Sequence, residues 1–190
     1  MIPRGLYGMA DAAFGDPVAQ ARLLAEEGVG LVQIRAKGWD PARLAAAVAA
    51  CRDLPVQLVV NDAVTVARAA GAWVHLGQED GPDPGIPFGR SCHDDAQLLA
   101  AGAAVYVGFG PVFGTATKDT GYSPRGVAAL RRAVGLSPRP VVAIGGITLD
   151  TLDTVRATGV HAWAVIGGIW RAANPRAAIR AFAAVSPGSR

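Results

Sequence analysis

The run Val107-Gly-Phe-Gly-Pro-Val-Phe-Gly-Thr-Ala-Thr-Lys118 puts two hydroxyls and an amine, Thr115, Thr117 and Lys118, just beyond a buried-strand pattern that breaks at Gly108, Gly110 and Pro111. Glycines let a backbone approach a ligand closely, and threonine hydroxyls with a lysine ammonium suit a phosphate. Taken alone, the run also reads as an ordinary strand-to-loop junction. Its weight comes from the other apolar runs, whose C-terminal ends carry Gln33, Arg35 and Lys37, then Asn61 and Asp62, Asp80, Ser91, Gly145-Gly146 and Gly167-Gly168. Each has an everyday role to hand. Arg35 and Lys37 read as surface charges, Asp62 as a helix cap and Asp80 as a loop acid. Together they say more. Asp62 and Asp80, with Ser91 nearby, are oxygen ligands of the kind Mg²⁺ takes beside substrate phosphates. Arg35, Lys37 and Lys118 add three positive charges, which suits a pyrophosphate carried with its metal. The two Gly-Gly turns suit a second phosphate held by backbone N–H groups.

The histidines are read more conservatively. His75 lies inside an apolar run and is expected to be packed and hydrogen-bonded rather than a base. His161 falls at the opposite end of its strand, and His93 stays unassigned. The chain offers no Ser-His-Asp arrangement, no Cys-His nucleophile pair and no zinc ligand set.

The elements that must position these residues follow from the apolar runs and their stops. Strands are expected at Leu6–Asp11, Leu31–Arg35, Val56–Val60, Trp73–Leu76, Phe88–Ser91, Val105–Phe109, Pro140–Ile144 and Ala162–Ile166. Asp16-Pro17 and Asp40-Pro41 each place a capping acid before a proline at the first helical position, opening helices to Glu27 and to about Arg52. Further helices are expected at 64–70, 94–101, 124–134, 148–158 and 175–184. Between the fourth and fifth strands, Gly81 to Pro87 contains Pro82, Pro84 and Pro87 and leaves no room for a long helix. Eight apolar strands alternating with helices predict parallel pairing with right-handed crossovers, an α/β fold of the (β/α)₈ TIM-barrel type, compact and with a reduced crossover between strands 4 and 5. A doubly wound open sheet is the competing architecture, but no Gly-x-Gly-x-x-Gly follows the first strand. In a barrel all the strand ends named above meet at one mouth.

With 190 residues, 51% of them hydrophobic, the sequence predicts a single TIM-barrel domain over 1–190. No apolar stretch approaches the roughly 20 residues of a membrane helix, and the start has no signal-peptide shape, so a cytoplasmic location is expected. A net charge of +3 without a Lys/Arg stripe argues against a nucleic-acid surface. Cys51 and Cys92 form neither a metal pattern nor a disulfide framework and read as small packed residues.

Six segments in order, Val32-Gln-Ile-Arg-Ala-Lys37, Val60-Asn-Asp62, Val74-His-Leu-Gly-Gln-Glu-Asp80, Gly89-Arg-Ser-Cys-His93, Gly108 to Lys118 and Val142-Ala-Ile-Gly-Gly-Ile147, make the chain resemble the thiamine phosphate synthases over nearly its whole length. The resemblance implies a transferase that joins hydroxymethylpyrimidine pyrophosphate to thiazole phosphate and releases pyrophosphate. It implies Mg²⁺ bound by Asp62 and Asp80, and Gln33 against the pyrimidine. Arg35, Lys37, Asn61, Ser91 and Lys118 would hold the pyrophosphate, with Lys118 and Ser91 acting on the leaving group. Thr115, Thr117, Gly146 and the Gly167-Gly168 turn would hold the thiazole phosphate. The implied chemistry is dissociative: pyrophosphate departs first, and the thiazole nitrogen captures a pyrimidine-stabilised cation. Such a step needs neutralised leaving-group charge and positioning, with little acid–base work. The partners implied are these small molecules, with no nucleic acid and no membrane; a homo-oligomer is compatible with the sequence.

Three features depart from the family pattern or point beyond it. The crossover at Gly81–Pro87 is thin, Gly167 stands where the synthases commonly have Ser, and Gly-Arg-Ser with Arg125-Gly-Val127 also resembles the related thiazole tautomerases. The tautomerase reading is weaker, because its catalytic His position after the sixth strand is Pro111 here and because it has no use for Asp62 and Asp80. A non-enzymatic sensor of phosphorylated ligands is a third reading; the metal acids and Lys118 argue against it.

Overall fold

The computed structural model describes residues 1–114 and 123–184. Eight parallel strands close into a barrel in chain order: β1 Gly5–Asp11, β2 Leu31–Arg35, β3 Gln57–Asn61, β4 Trp73–Leu76, β5 Phe88–Cys92, β6 Tyr106–Phe109, β7 Val141–Ile144 and β8 Ala162–Val165. Closure is made by β8 against β1, with Gly5 opposite Ala162. The TIM-barrel expectation holds.

Strand side chains alternate between two faces, and in this barrel the two faces build two cores. Tyr7, Met9, Leu31, Val59, Tyr106, Val142, Ala162 and Ala164 pack inside the barrel. The alternate residues, among them Val32, Ile34, Val60, Val74, Leu76, Val107 and Trp163, pack outward against the helices. Because both faces are covered, the strands read as continuous apolar runs. The inward phase, carried on toward the C-terminal ends, delivers Gln33, Arg35, Asn61, His75 and Ser91 to the mouth.

The helices are α1 Pro17–Glu26, α2 Pro41–Ala49, α3 Val64–Ala70, α4 Asp95–Leu99, α5 Gly126–Leu136, α6 Leu149–Arg156, α7 Gly167–Trp170 and α8 Pro175–Ala183. Capping chemistry sets several starts. Asp16 accepts from the backbone N–H of Val18 and Ala19, Asp40 from Arg43, and Asn174 from Ala177, each just before a proline at N1. Glu27, at the C-terminal end of α1, receives hydrogen bonds from Arg176 and Arg180 of α8, joining the first and last helices of the ring.

Several boundaries differ from expectation, and some have a visible local cause. The helix expected from position 124 begins at Gly126, because the preceding backbone is tied to the exit of β6: Arg125 N–H donates to Pro111 O at 2.8 Å and Gly126 N–H to Val112 O at 2.9 Å. The helices expected to run to about Arg52 and over 94–101 stop at Ala49 and Leu99. β3 begins at Gln57 and takes in Asn61, since Asn61 still pairs with His75 on β4. β5 likewise reaches Cys92, opposite Phe109. The eighth strand ends at Val165, and α7 was not anticipated: the backbone N–H groups of Ile169 and Trp170 both return to Ile166 O, and Trp170 Nε1 donates to Met9 O at 2.6 Å. The crossover between β4 and β5 contains no helix, as the prolines required. Both cysteines are buried and unbridged. Among the described residues, no helix is long and apolar enough to cross a membrane.

Candidate active site

A cavity of about 480 Å³ opens at the C-terminal ends of the strands. Its lining includes Gln33, Arg35, Lys37, Asn61, Asp62, Asp80, Ser91, Gly146, Gly167 and Gly168, so these residues, drawn from six strand ends, share one site. Thr115, Thr117 and Lys118 lie outside the described residues.

The carboxylates are arranged against their own comfort. Asp62, directly after β3, sits at φ 62°, the left-handed region that non-glycine residues seldom adopt. Its N–H is fixed to His75 O at 2.9 Å. Its Oδ2 receives the Asn61 amide at 2.5 Å and stands 3.9 Å from Lys37 Nζ. Burial, reinforced by the negative charge of Asp80, holds the Asp62 carboxyl above the ordinary aspartate range, with Lys37 and Asn61 opposing. Asp80 is oriented by Gly77, whose N–H donates to its Oδ2 at 2.6 Å. A carboxyl whose proton affinity is raised by burial and by a neighbouring acid is suited to sharing a hard cation with that neighbour.

The cationic side is less uniform than the sequence implied. Arg35 stands opposite Asp11 in the β1–β2 register and is already ion-paired with it, deep in the wall: Asp11 is 1% exposed. Asp11 is a residue the sequence reading passed over, although it stood at the acidic end of the first strand. Arg171, after α7, also lines the cavity and was not singled out; its guanidinium lies 5.5 Å from the Phe14 ring centroid.

The glycine turns are demanded by close approach. A side chain at Gly146 would place its Cβ 2.4 Å from Gly114 O, and one at Gly145 would come 2.6 Å from Pro111 Cα. The backbone leaving β6 is laid onto the end of β7 here, with Val112 N–H on Ile144 O at 2.9 Å and Phe113 N–H on Gly145 O at 3.0 Å.

Beneath the mouth runs a chain of polar side chains that the sequence reading largely missed. Gln33 Nε2 donates to Tyr7 Oη at 2.8 Å, and Tyr7 Oη and Tyr106 Oη lie 2.8 Å apart. Tyr106 Oη is 2.9 Å from His75 Nδ1, and His75 Nε2 is 3.0 Å from Ser91 Oγ. His75 is thus packed and hydrogen-bonded, as expected, but it also faces the cavity. His93 lines the cavity with Nδ1 2.6 Å from Gly110 O. His161 sits at the far end of the barrel, its Nε2 2.9 Å from Ile2 O. The signal that would have found Tyr7 and Tyr106 is strand alternation, which puts both on the inner face.

Comparison with known proteins bears on this geometry. The family model described as Thiamine monophosphate synthase matches residues 6–169. The chain belongs to the thiamine monophosphate synthase family. It is 38% identical to the thiamine-phosphate synthase of Anaeromyxobacter dehalogenans over 92% of this chain and 84% of that protein. It is likewise 38% identical to that of Neisseria meningitidis serogroup A, over 87% and 88%. The solved thiamine phosphate pyrophosphorylase from Pyrococcus furiosus superposes with a TM-score of 0.86 at 31% identity, covering 94% of this chain and 93% of that one. Asp62, Asp80 and both Gly-Gly turns line the one cavity at the barrel mouth.

Proposed function

We propose that the chain is a thiamine-phosphate synthase, a transferase that forms a bond between the exocyclic carbon of hydroxymethylpyrimidine pyrophosphate and the thiazole phosphate nitrogen, with pyrophosphate as the leaving group. One observation carries the reading: the Asp62–Asp80 carboxylate pair, beside Lys37 and Asn61, on the rim of a cavity that also holds Gly145-Gly146 and Gly167-Gly168. A tautomerase acting on one ligand has no use for such a pair, and Pro111 stands where its histidine would be.

The donor set fits Mg²⁺. It is all oxygen, and a dication held by the two acids would offset both the burial and the Asp80 charge that raise the Asp62 carboxyl. Among the described residues there is no cluster of three or more His, Cys, Asp or Glu, so the remaining coordination falls to phosphate oxygens and water, the usual Mg²⁺ arrangement. Bound there, the ion would neutralise charge on the departing pyrophosphate.

The chain's own residues do the rest. Lys37, Asn61 and Ser91 hold pyrophosphate oxygens, and Lys118 is assigned to the same group. Arg35 contributes through a guanidinium whose charge Asp11 already balances, so it acts as an oriented donor more than as an added positive charge. Gln33 meets the pyrimidine. Thr115, Thr117, Gly146, Gly167 and Gly168 receive the thiazole phosphate. The carbon–oxygen bond breaks with its electron pair going to pyrophosphate, and the thiazole nitrogen lone pair then forms the new carbon–nitrogen bond. No proton has to be removed, which agrees with a site whose histidines are occupied in hydrogen bonds.

The test is a coupling assay with both phosphorylated heterocycles, with and without Mg²⁺, following thiamine phosphate. Metal-dependent product that falls at least about a hundredfold in Asp80→Ala is expected. Absence of product, with thiazole phosphate still bound, would overturn the reading and favour the tautomerase.

A further inference from the structure

The polar chain from Gln33 to Ser91 contains a constraint on where its protons lie. Tyr7 and Tyr106 each own one hydroxyl proton, and a neutral His75 owns one ring proton. Gln33 Nε2 donates to Tyr7. If Tyr106 also donated to Tyr7, the Tyr7 proton would have no acceptor among the described residues, in a place where the side chain is 2% exposed. With the Gln33 amide oriented to donate, Tyr7 therefore donates to Tyr106. Tyr106 Oη, having accepted, donates to His75 Nδ1, and the imidazole proton is left on Nε2, where it points at Ser91 Oγ. Ser91, having accepted, has its own proton to give.

The two ends of this chain are therefore defined. At one end Gln33 Oε1 is a buried acceptor with no partner among the described residues, on a side chain that lines the cavity. At the other, Ser91 is a hydroxyl donor on the same cavity. Burial raises both tyrosine hydroxyls well above their usual range, so neither gives up its proton and the direction is retained. Packing holds the members in place: the Tyr106 ring lies edge-on to Tyr7 and stacked on His75, with centroids 5.7 and 5.6 Å apart.

We propose that Tyr7, Tyr106 and His75 are positioning residues whose one-way hydrogen-bond chain makes Gln33 an acceptor and Ser91 a donor toward the substrate. The chain thereby selects an amino-bearing heterocycle, whose N–H completes Gln33, joined to an acceptor-rich leaving group, whose oxygen completes Ser91. This rests on the proposed synthase reading for the identity of the substrate, but the proton direction does not. A heterocycle of the same shape without the amino group leaves Gln33 Oε1 unpaired, and a site built to bond a polar group rejects the analogue that lacks it far more strongly than one built on apolar contact.

Two measurements test it. Nitrogen NMR of histidine-labelled protein, with the His75 signals assigned from His75→Gln, is expected to show one neutral tautomer with the proton on Nε2, giving way to a mixture in Tyr106→Phe. A proton on Nδ1 in the unmodified protein reverses the chain and overturns the proposal. In the coupling assay, Tyr106→Phe is expected to lower kcat/KM for the pyrimidine pyrophosphate about tenfold or more while the thiazole phosphate KM stays within about twofold. Tyr7→Phe, which frees the Gln33 amide to turn, is expected to erode discrimination against a pyrimidine pyrophosphate lacking the ring amino group by about tenfold; unchanged discrimination overturns the proposal. If the unmodified protein couples nothing, the synthase reading fails, while the NMR result still decides the direction of the chain.

Discussion

Gly89 offers a quantitative test of how the barrel interior is built. It pairs with His75 on one side and Tyr106 on the other, so a residue without a side chain stands between the two rings that must touch across it. In Gly89→Ala the added Cβ would lie 2.1 Å from Tyr106 Cζ and 2.5 Å from both Cε atoms. Carbon atoms rest about 3.5–4.0 Å apart, so the ring has to retreat by roughly 1.5 Å. Tyr106 is fully buried, and its hydroxyl is held by contacts of 2.8 Å to Tyr7 and 2.9 Å to His75. A retreat of that size breaks both. Overpacking of this kind costs about 1–3 kcal/mol, and two lost buried hydrogen bonds add about 1 kcal/mol each.

The expected destabilisation is therefore about 3–5 kcal/mol, a large share of the roughly 5–15 kcal/mol of a typical domain. Urea unfolding followed by circular dichroism would read it as a lower midpoint at constant slope. Tyr106→Val supplies the control. With the ring gone the clash is gone, so adding Gly89→Ala to Tyr106→Val should cost little, and the two changes should couple by more than about 1 kcal/mol. A Gly89→Ala loss under about 1 kcal/mol, or simple additivity with Tyr106→Val, would refute the packing argument.

The acids at the mouth predict a linked response to pH and metal. Because the Asp62 carboxyl is raised by burial and Asp80, the folded protein holds that proton more tightly than the unfolded chain; its contribution favours the fold at acid pH and is lost as pH rises from the ordinary aspartate range through the raised value. Mg²⁺ is accordingly expected to raise Tm more at neutral pH than in acid, and an equal shift at every pH in thermal melts would count against the carboxylate pair as its site. Asp11→Asn removes the buried partner of Arg35 and should cost about 3 kcal/mol in urea unfolding. Added pyrophosphate should stabilise that variant more than the parent, since it supplies the missing anion; equal stabilisation would mean Arg35 does not meet the ligand.

Much of this molecule was legible because its local signals agree. Each strand is an apolar run stopped by a polar or glycine end, and Asp16-Pro17, Asp40-Pro41 and Asn174-Pro175 cap helices where they stand. What escaped depends on register and reach. Asp11 and Arg35 are neighbours only because β1 and β2 pair with those residues opposite one another. Tyr7, Tyr106 and His75 come from strands 1, 6 and 4, and meet only once the barrel closes. α7 begins with two glycines, the poorest helix formers after proline, and exists because Ile166 O accepts two backbone bonds and Trp170 is anchored to β1.

Asp62 gathers the cost of function into one residue. Its left-handed backbone carries a penalty on the order of 1–3 kcal/mol, which surrounding structure must hold in place. The bond from Asp62 N–H to His75 O does so, and it ties this acid to the same strand that orients Ser91. On top of this, the carboxyl stands beside a second acid and its proton affinity is raised. At neutral pH neither feature helps the fold, and glycine at 62 would relieve both, as it does at 145 and 146 where the backbone also turns left-handed. A barrel with twelve left-handed glycines among the described residues that keeps an aspartate in this one turn needs its carboxylate. The protein is therefore least consistent with stability at the point where the proposed metal and pyrophosphate chemistry requires it to be.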